Sequence, residues 1–221
     1  MQKIKAIIFD CDGTLLDTER IYLRTWELVA KPMGYDIPLE VLMDNRGKGK
    51  SYCRENLFRA MGEDFPIDEI YEKRHVMNEE LFLREENVVK PGVTELLHWM
   101  KERGILSAVA SAKTWKVTSE HLKHASIYDL FDVVIGGDMV SRNKPEPDSF
   151  LKAAEMLGVL PEECMVIGDT PSDMQAAKAA QMTSVFVPDL IQADAEINSL
   201  ADVQICRIDN IIEILEGRQN E

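Results

Sequence analysis

Residues 6–14 read Ala6-Ile7-Ile8-Phe9-Asp10-Cys11-Asp12-Gly13-Thr14, a short apolar run followed by two carboxylates and a glycine. An unbroken apolar run of this length predicts a strand that is buried on both faces, as in a parallel sheet covered by helices. The Asp-Gly pair that follows it predicts a sharp turn. The stretch therefore indicates an α/β protein with polar side chains just beyond the carboxyl end of its first strand.

Further short apolar runs follow along the chain, and each ends close to a small or acidic residue. They cover residues 106–110, 133–135, 165–167 and 183–187, with a sixth candidate at 203–206. Apolar residues at helical spacing lie between these runs, at 93–100 and again at 150–157. The alternation of strands and helices predicts a doubly wound parallel sheet, which is a Rossmann-like core.

One interval is too long for this alternation, because about 95 residues separate the first two runs, whereas a crossover needs only a few dozen. Residues 18–88 contain several helical patterns and no convincing buried strand. Pro91-Gly92 then marks the return to the alternating pattern. We therefore predict an α/β core domain formed by residues 1–17 and 89–221, interrupted by a helical cap domain at 18–88.

The composition restricts the class of partner. The 221 residues include 39 Asp and Glu and 25 Lys and Arg, which gives a formal net charge of −14. Nucleic acids and anionic membranes are bound through Lys and Arg, so this acidity argues against both as partners. The apolar run at 6–9 is too short for a signal peptide, and nothing approaches the length of a membrane span.

The cysteines, Cys11, Cys53, Cys164 and Cys206, lie far apart and include no C-x-x-C pair. This spacing is neither a zinc signature nor the disulfide framework of a small secreted protein. Together with the lack of a recognisable leader, it predicts a reduced, cytoplasmic protein. The sequence does not indicate an oligomeric state.

Polar side chains follow the predicted strands at their carboxyl ends, where open α/β sheets bind ligands. Asp10, Ser111 and Asp169 come at the ends of three of the runs, and Lys144 lies on the loop after the run at 133–135. Two carboxylates suit a divalent cation, while a hydroxyl and an ammonium suit phosphate oxygens. The set predicts a site for a metal ion and a phosphorylated small molecule.

Four motifs containing these residues lie in order along the chain. They are Asp10-Cys11-Asp12-Gly13-Thr14, Ser111, Lys144-Pro145-Glu146-Pro147-Asp148 and Gly168-Asp169-x-x-x-Asp173. Their order resembles that of the haloacid dehalogenase-like phosphohydrolases. The helical insertion after the first motif is similar to the subgroup containing β-phosphoglucomutase and phosphoglycolate phosphatase. The resemblance covers nearly the whole chain and implies a helical cap inserted into a Rossmann-like core.

The resemblance implies that the first motif performs the chemistry. Asp10 would attack phosphorus and form an aspartyl phosphate, which divides hydrolysis into two easier steps. Asp12 would protonate the leaving oxygen and then take a proton from the attacking water. Gly13 permits the turn that brings Asp12 over the site. An Asp-Gly surface turn without chemistry is the alternative interpretation.

The resemblance also implies phosphate contacts. The Ser111 hydroxyl and the amides of Ala112 and Lys113 would grip the phosphoryl group. Lys144 would neutralise that group and steady Asp10. Taken alone, Ser111 is equally compatible with capping the next helix, and Lys144 with an exposed loop lysine.

Mg²⁺ is the implied cofactor. Asp169 and Asp10, together with the backbone carbonyl of Asp12, would hold it through hard oxygen ligands. Asp173 is expected to support these ligands from behind, although Thr170-Pro171-Ser172-Asp173 also reads as the start of a helix that Asp173 helps to cap. The four histidines form no metal-ligand pattern, and we expect them to have surface or packing roles. They are His75, His98, His121 and His124.

The predicted cap contains a basic loop, Asn45-Arg46-Gly47-Lys48-Gly49-Lys50-Ser51, with three cations among glycines. The corresponding loop of similar proteins helps to select the substrate, so Arg46 and Lys50 are candidate specificity residues. A solvated charged loop has the same composition, and that alternative remains open.

Three departures from the subgroup's pattern stand out. Tyr22 stands where β-phosphoglucomutase-like enzymes have a histidine, and Gly168 precedes Asp169 where they have a glutamate. Both changes favour hydrolysis over a mutase reaction. Gln181 replaces a helix-ending glycine, which concerns local stability only.

The predicted function is therefore Mg-dependent hydrolysis of a small phosphomonoester, a sugar phosphate or similar metabolite. One alternative is a sugar phosphate mutase, which would return the phosphoryl group to a sugar hydroxyl. The other is a non-enzymatic receiver whose aspartate is phosphorylated to bias a partner. The helical insertion and Asp12 argue against the receiver.

Overall fold

The computed structural model describes residues 3–46 and 50–217, without the side chain of Lys50. The chain divides into two compact units, one formed by Met1–Leu16 and Val89–Glu221 and the other by Asp17–Val88. The inserted unit thus begins one residue earlier than the cap domain predicted at 18–88. In the described part of the chain, no helix is both long enough and apolar enough to cross a membrane.

The first unit is built on a six-stranded sheet in which every pairing is parallel. Its strands are β1 (Ala6–Phe9), β2 (Leu106–Ala110), β3 (Val133–Ile135), β4 (Cys164–Gly168), β5 (Thr183–Phe186) and β6 (Val203–Gln204). The order across the sheet is β3-β2-β1-β4-β5-β6. This topology confirms the predicted doubly wound α/β class, and it places the reversal of strand order between β1 and β4.

Strand β6 is shorter than the predicted run at 203–206. Only Val203 and Gln204 pair with β5, opposite Val185 and Phe186. Ile205 still donates its N–H to the Phe186 carbonyl, after which the chain leaves the sheet. The apolar run therefore predicts the position of the strand but not its last paired residue.

Helices cover the sheet of this unit, and those helices are α5 (Val93–Glu102), α6 (Trp115–His124), α7 (Asp148–Leu157), α8 (Pro171–Ala179), α9 (Ala195–Leu200) and α10 (Asn210–Gly217). All four residues of β1 are fully buried. On one face, Ile8 and Val166 of the sheet share an apolar cluster with Phe150 of α7 and Ala177 of α8. Burial on both faces explains why these strands are continuously apolar in sequence.

The second unit is helical, as its patterns predict, and contains α1 (Thr18–Ala30), α2 (Leu39–Asp44), α3 (Lys50–Met61) and α4 (Ile67–Arg84). Trp26, Leu57 and Ile70 belong to its apolar core. The Arg74 guanidinium lies 3.7 Å from the centroid of the Trp26 ring and donates to the Tyr22 carbonyl at 2.8 Å. Burial lowers the pKa of Arg74 to about 10.

Candidate active site

Three carboxylates meet at the reversal of strand order. Asp10 directly follows β1 and continues the ladder by donating its N–H to the Ile167 carbonyl at 2.9 Å. Asp169 directly follows β4, and Asp173 lies in the first turn of α8. All three side chains are buried, and each has a carboxylate oxygen within 4.8 Å of the other two. The topology thus joins residues that are more than 150 positions apart in sequence.

Lys144 lies among these carboxylates with its ammonium in a closed shell of acceptors. It contacts Asp10 Oδ1, donates to Asp173 Oδ1 at 2.6 Å, and reaches the Ala110 carbonyl at 3.3 Å. Only 8% of its side chain is exposed. The three acceptors match the three N–H groups of an ammonium, which fixes its position. Lys144 is therefore not an exposed loop lysine.

The loop that delivers Lys144 is braced by Arg142. Its guanidinium reaches Glu146 at 3.1 Å and Asp148 at 2.8 Å. The Phe150 ring of α7 lies 5.6 Å from the Lys144 ammonium. The start of α7 and the lysine loop therefore form one connected piece of structure.

Asp173 uses its two carboxylate oxygens for different partners. Oδ2 accepts the Thr170 N–H at 3.1 Å, completing the capping box at the start of α8, while Oδ1 faces Lys144. The sequence left helix capping and support of the metal site as alternatives. The geometry places the same side chain where both are possible.

Burial and charge perturb the ionisation of this cluster. Burial raises the pKa of Asp10 to about 7, and the nearby Asp173 and Asp12 carboxylates add to this, while Lys144 opposes it. Burial alone would lower the pKa of Lys144, but Asp10 and Asp173 together raise it above its usual value. With all three carboxyl groups ionised, the single Lys144 ammonium leaves a formal excess of two negative charges.

This donor set fits a magnesium ion. It consists of hard carboxylate oxygens, and the charge excess is that of one divalent cation. Thr14 Oγ1 donates to Asp169 Oδ1 at 3.0 Å and so orients one of the carboxylates. Gly13, at φ +83°, lies so close that a Cβ there would stand 2.8 Å from Asp169 Cγ. The cradle around Asp169 is thus shaped by the absence of a side chain at Gly13.

Ser111 lies at the end of β2 and is buried. Its N–H donates to the Ile135 carbonyl at 3.0 Å, and its hydroxyl oxygen accepts the Lys113 N–H at 3.1 Å. Helix α6 is capped instead by Thr114, whose Oγ1 accepts the Val117 N–H at 3.4 Å. The alternative in which Ser111 caps this helix is therefore wrong, because the helix begins only after Thr114. Ala112, at the exposed tip of this loop, remains a predicted phosphate contact.

Two further side chains extend the site, and sequence reasoning missed both. Lys113 Nζ donates to Asp12 Oδ1 at 2.8 Å and lies 3.3 Å from Nδ1 of His121. His121, assigned only a surface or packing role, is 2% exposed. Two signals were available in the sequence. Lys113 follows Ser111 on a loop at the carboxyl edge of the sheet, and His121 shares the buried face of α6 with Thr118 and Leu122.

The cap candidates are placed differently. Arg46 forms an ion pair with Glu19 of α1; both residues belong to the inserted unit, and both side chains are largely buried. Gly47, Lys48, Gly49 and the side chain of Lys50 lie outside the described residues. The role of Arg46 and Lys50 in substrate selection stays a prediction.

Comparison with known proteins places the chain among phosphatases. Residues 7–187 match the haloacid dehalogenase-like hydrolases. The chain is 32% identical to the phosphorylated carbohydrates phosphatase of Thermotoga maritima, over 83% of this chain and 84% of that protein. It is also 32% identical to the phosphoglycolate phosphatase of Thiobacillus denitrificans, over 84% of this chain and 83% of that protein.

A solved structure shows the same architecture. The β-phosphoglucomutase of Clostridium difficile superposes with a TM-score of 0.75 at 24% identity, covering 99% of this chain and 100% of that one. At this level of identity the likeness shows the fold alone. Together with the family match and the phosphoglycolate phosphatase relative, this architecture confirms the expected resemblance to the subgroup.

Proposed function

The chain belongs to the haloacid dehalogenase-like hydrolase family and is a phosphoric monoester hydrolase, and on this basis we propose that it is a Mg²⁺-dependent phosphatase that forms an aspartyl phosphate on Asp10. The substrate proposed is a small phosphomonoester, a sugar phosphate or similar metabolite. The relative from T. maritima is named for phosphorylated carbohydrates and that from T. denitrificans for phosphoglycolate, which supports this class of substrate.

One observation carries the proposal. Asp10, Asp169 and Asp173 form a buried carboxylate cluster, and the Lys144 ammonium contacts Asp10 and Asp173. Such a cluster is costly to bury unless it is paired or binds a metal, so a stability role alone does not explain it. The cluster lies beside the strand-order reversal, where α/β sheets bind their ligands.

In the first half of the reaction, an Asp10 carboxylate oxygen attacks phosphorus in line with the leaving oxygen. The bond from phosphorus to the leaving oxygen breaks, and Asp12 gives its proton to that oxygen. Lys144 neutralises charge on the phosphoryl oxygens and holds the orientation of Asp10 through their contact. The Ser111 hydroxyl donates a hydrogen bond to a phosphoryl oxygen.

In the second half, water attacks the aspartyl phosphate and gives its proton to Asp12. Phosphate leaves, the Asp10 carboxylate is restored, and Asp12 is again protonated. Mg²⁺, held by Asp10, Asp169 and the Asp12 carbonyl with Asp173 behind them, would supply positive charge against the phosphoryl oxygens. The proton that Asp12 gives to the leaving oxygen in the first half is thus replaced by one from water in the second.

Asp10→Asn tests this mechanism directly. We expect phosphate release from a panel of sugar phosphates and phosphorylated acids to fall to the uncatalysed background, because an amide cannot act as the nucleophile. Intact-mass measurement of acid-quenched wild type should show one added phosphoryl group, which the variant lacks. The exposed Asp129→Asn makes the same charge change and should retain activity.

Metal dependence and the alternatives are tested on the same panel. A chelator should abolish phosphate release and added Mg²⁺ should restore it. Conversion of a sugar 1-phosphate to its 6-phosphate with negligible free phosphate would establish the mutase instead. Stable phosphorylation by a small donor, without turnover of any ester, would establish the receiver. Near-wild-type phosphate release by the Asp10→Asn variant would refute the aspartyl-phosphate mechanism.

A further inference from the structure

Asp12 does not stand alone beside the cluster, because an ammonium from the opposite loop contacts it. From this contact we infer that Lys113, supported by His121, is the positioning residue for Asp12. The inference rests on the proposed role of Asp12 as proton carrier. It assigns a function to the Lys113 side chain, whereas the sequence suggested only that the Lys113 backbone amide contacts phosphate.

The contact is direct and partly shielded from water. Lys113 Nζ lies 2.8 Å from Asp12 Oδ1, with side-chain exposures of 23% and 19%. The two residues are 101 positions apart, so the pairing exists only in the folded sheet. One of the two Asp12 oxygens is therefore held by a charge-assisted hydrogen bond, which limits rotation of the carboxylate.

Lys113 is itself fixed at its backbone. Its N–H donates to Ser111 Oγ at 3.1 Å, and its carbonyl accepts the Gly137 N–H at 2.7 Å. Thr114 then caps α6 as the next residue in the chain. The base of this lysine is consequently rigid, unlike that of an ordinary loop lysine.

His121 fixes the other end of the side chain. Its Nδ1 lies 3.3 Å from Lys113 Nζ, and the ring is buried on α6. An ammonium only donates hydrogen bonds, so in this contact Nδ1 would be the acceptor. A lysine has four rotatable bonds, and restraining its ammonium at two points reduces the entropy lost when it orients Asp12.

The consequence for the reaction depends on the leaving group. Proton transfer to a poor leaving group contributes typically about 10²–10⁴-fold. A nitrophenolate needs little protonation when it leaves, whereas an alkoxide needs a full proton. Loss of Lys113 should therefore slow alkyl phosphates much more than p-nitrophenyl phosphate.

The experiment compares Asp12→Asn, Lys113→Met and the double variant in the full chain, with glycerol 1-phosphate and p-nitrophenyl phosphate as substrates. We expect Lys113→Met to lower kcat for the alkyl ester by about 10–100-fold, as expected for a misplaced catalytic group, with little change in KM. The loss with p-nitrophenyl phosphate should be about threefold or less. The ratio of the two rates is independent of the folded fraction, so incomplete folding cannot imitate this result.

Two further variants test whether the effect depends on the charge of Lys113 and on its contact with His121. Lys113→Arg, which keeps a cation, should recover most of the selective loss. His121→Leu should show the same selectivity at smaller magnitude, while His98→Leu, an exposed histidine of α5, should match wild type. In the double variant the loss should equal that of Asp12→Asn alone, because both changes remove one function.

The outcomes separate the positioning role of Lys113 from the proton-carrier role of Asp12. An equal loss for both substrates in Lys113→Met, or losses that multiply in the double variant, would overturn the positioning role. In that case a selective loss in Asp12→Asn would still support the proposed function. Equal losses for both substrates in Asp12→Asn itself would overturn the proton-carrier role and the inference built on it.

Discussion

Gly13 shows how one missing side chain shapes the carboxylate cluster. Its φ of +83° lies in the left-handed region, and a Cβ there would approach the Asp169 carboxylate. A substitution therefore combines backbone strain with a steric clash. The steric clash affects the carboxylate cluster, and its effect on activity can be measured separately from the effect of backbone strain on stability.

Gly13→Ala should lower phosphate release by about 100-fold, the usual cost of displacing a catalytic group by about 1 Å. Gly34→Ala is the matched control, because Gly34 has φ +87° but a Cβ there would meet nothing within 4 Å. Both variants should lose about 1–2 kcal/mol of stability from backbone strain. Equal activity in the two variants, measured at the same folded fraction, would refute the steric argument.

Asp169 provides a test of metal binding that does not depend on turnover. The buried carboxylates repel one another, so Asp169→Asn should raise the melting temperature in the presence of a chelator. The amide oxygen can still accept the Thr14 hydroxyl.

Mg²⁺ at about 100 times its Kd should stabilise the wild type by about 2.7 kcal/mol and the Asp169→Asn variant by far less. Differential scanning calorimetry with and without the ion measures both effects. The exposed Asp129→Asn should keep the wild-type response to Mg²⁺. If Mg²⁺ stabilised the Asp169→Asn variant as much as the wild type, Asp169 would not be a metal ligand.

At the scale of elements, helices α5 to α8 share one way of ending. A residue with a positive φ stands at or just after each C-cap, and the next residue donates its N–H to a carbonyl five positions earlier. The four residues are Gly104, Ser126, Gly158 and Gln181. Two of these ends are glycines, as usual for this motif, and two carry a side chain.

Gln181→Gly should stabilise the protein by up to about 1 kcal/mol, because a side chain at φ +60° is strained and glycine is not. Ala180→Gly is the matched control. Ala180 has a φ of −78° and is buried, so a glycine there adds freedom to the unfolded chain, removes a buried methyl group and should destabilise. Urea denaturation measures both, and stabilisation by both or by neither would contradict the explanation.

The sheet repeats one hydrogen-bond arrangement, in which a serine of one strand binds an aspartate that precedes the neighbouring strand. Ser107 of β2 donates its N–H to Asp132, which precedes β3, and Ser184 of β5 donates its N–H to Asp202, which precedes β6. The Ser107 and Ser184 hydroxyls approach the Leu130 and Leu200 carbonyls. Partners 25 and 18 positions apart leave no trace in local periodicity, so the arrangement is seen only in the folded chain.

At the scale of the whole molecule, the two ends that flank the inserted segment lie side by side. Leu16 and Val89 form an antiparallel bridge, and Lys90 donates its N–H to the Leu15 carbonyl at 2.9 Å. The ion pair between Lys90 and Asp189, at 2.5 Å and mostly buried, ties the returning chain to the loop after β5. The core unit therefore does not need the inserted segment to bring its two pieces together.

Replacing residues 17–88 with Asn-Gly, which suits a two-residue antiparallel turn, should leave a folded α/β core. We expect cooperative thermal unfolding and a retained rise in melting temperature with Mg²⁺, since the carboxylate cluster lies wholly within this unit. The same excision combined with Asp169→Asn is the control and should lose the metal response. A chain without cooperative unfolding would show that the core depends on the insertion.

The sequence by itself determined the α/β class, the places of the strands and the residues at their carboxyl ends. Strands buried on both faces must be continuously apolar, so β1 and β4 are visible as runs that stop at Asp10 and Asp169. The start of α8 was equally visible in the sequence. Thr170 and Asp173, three positions apart, form the capping box that satisfies the free N–H groups at the start of this helix.

Only the tertiary structure decided which partners these residues take. Lys113 meets Asp12, Asp173 shares its carboxylate between Thr170 and Lys144, and β6 ends where its pairing with β5 ends. Periodicity and capping are rules of short range, whereas these contacts join segments that meet only when the sheet has assembled. Local residue patterns therefore specified where the chemistry-bearing side chains stand, and packing of distant segments specified what each of them contacts.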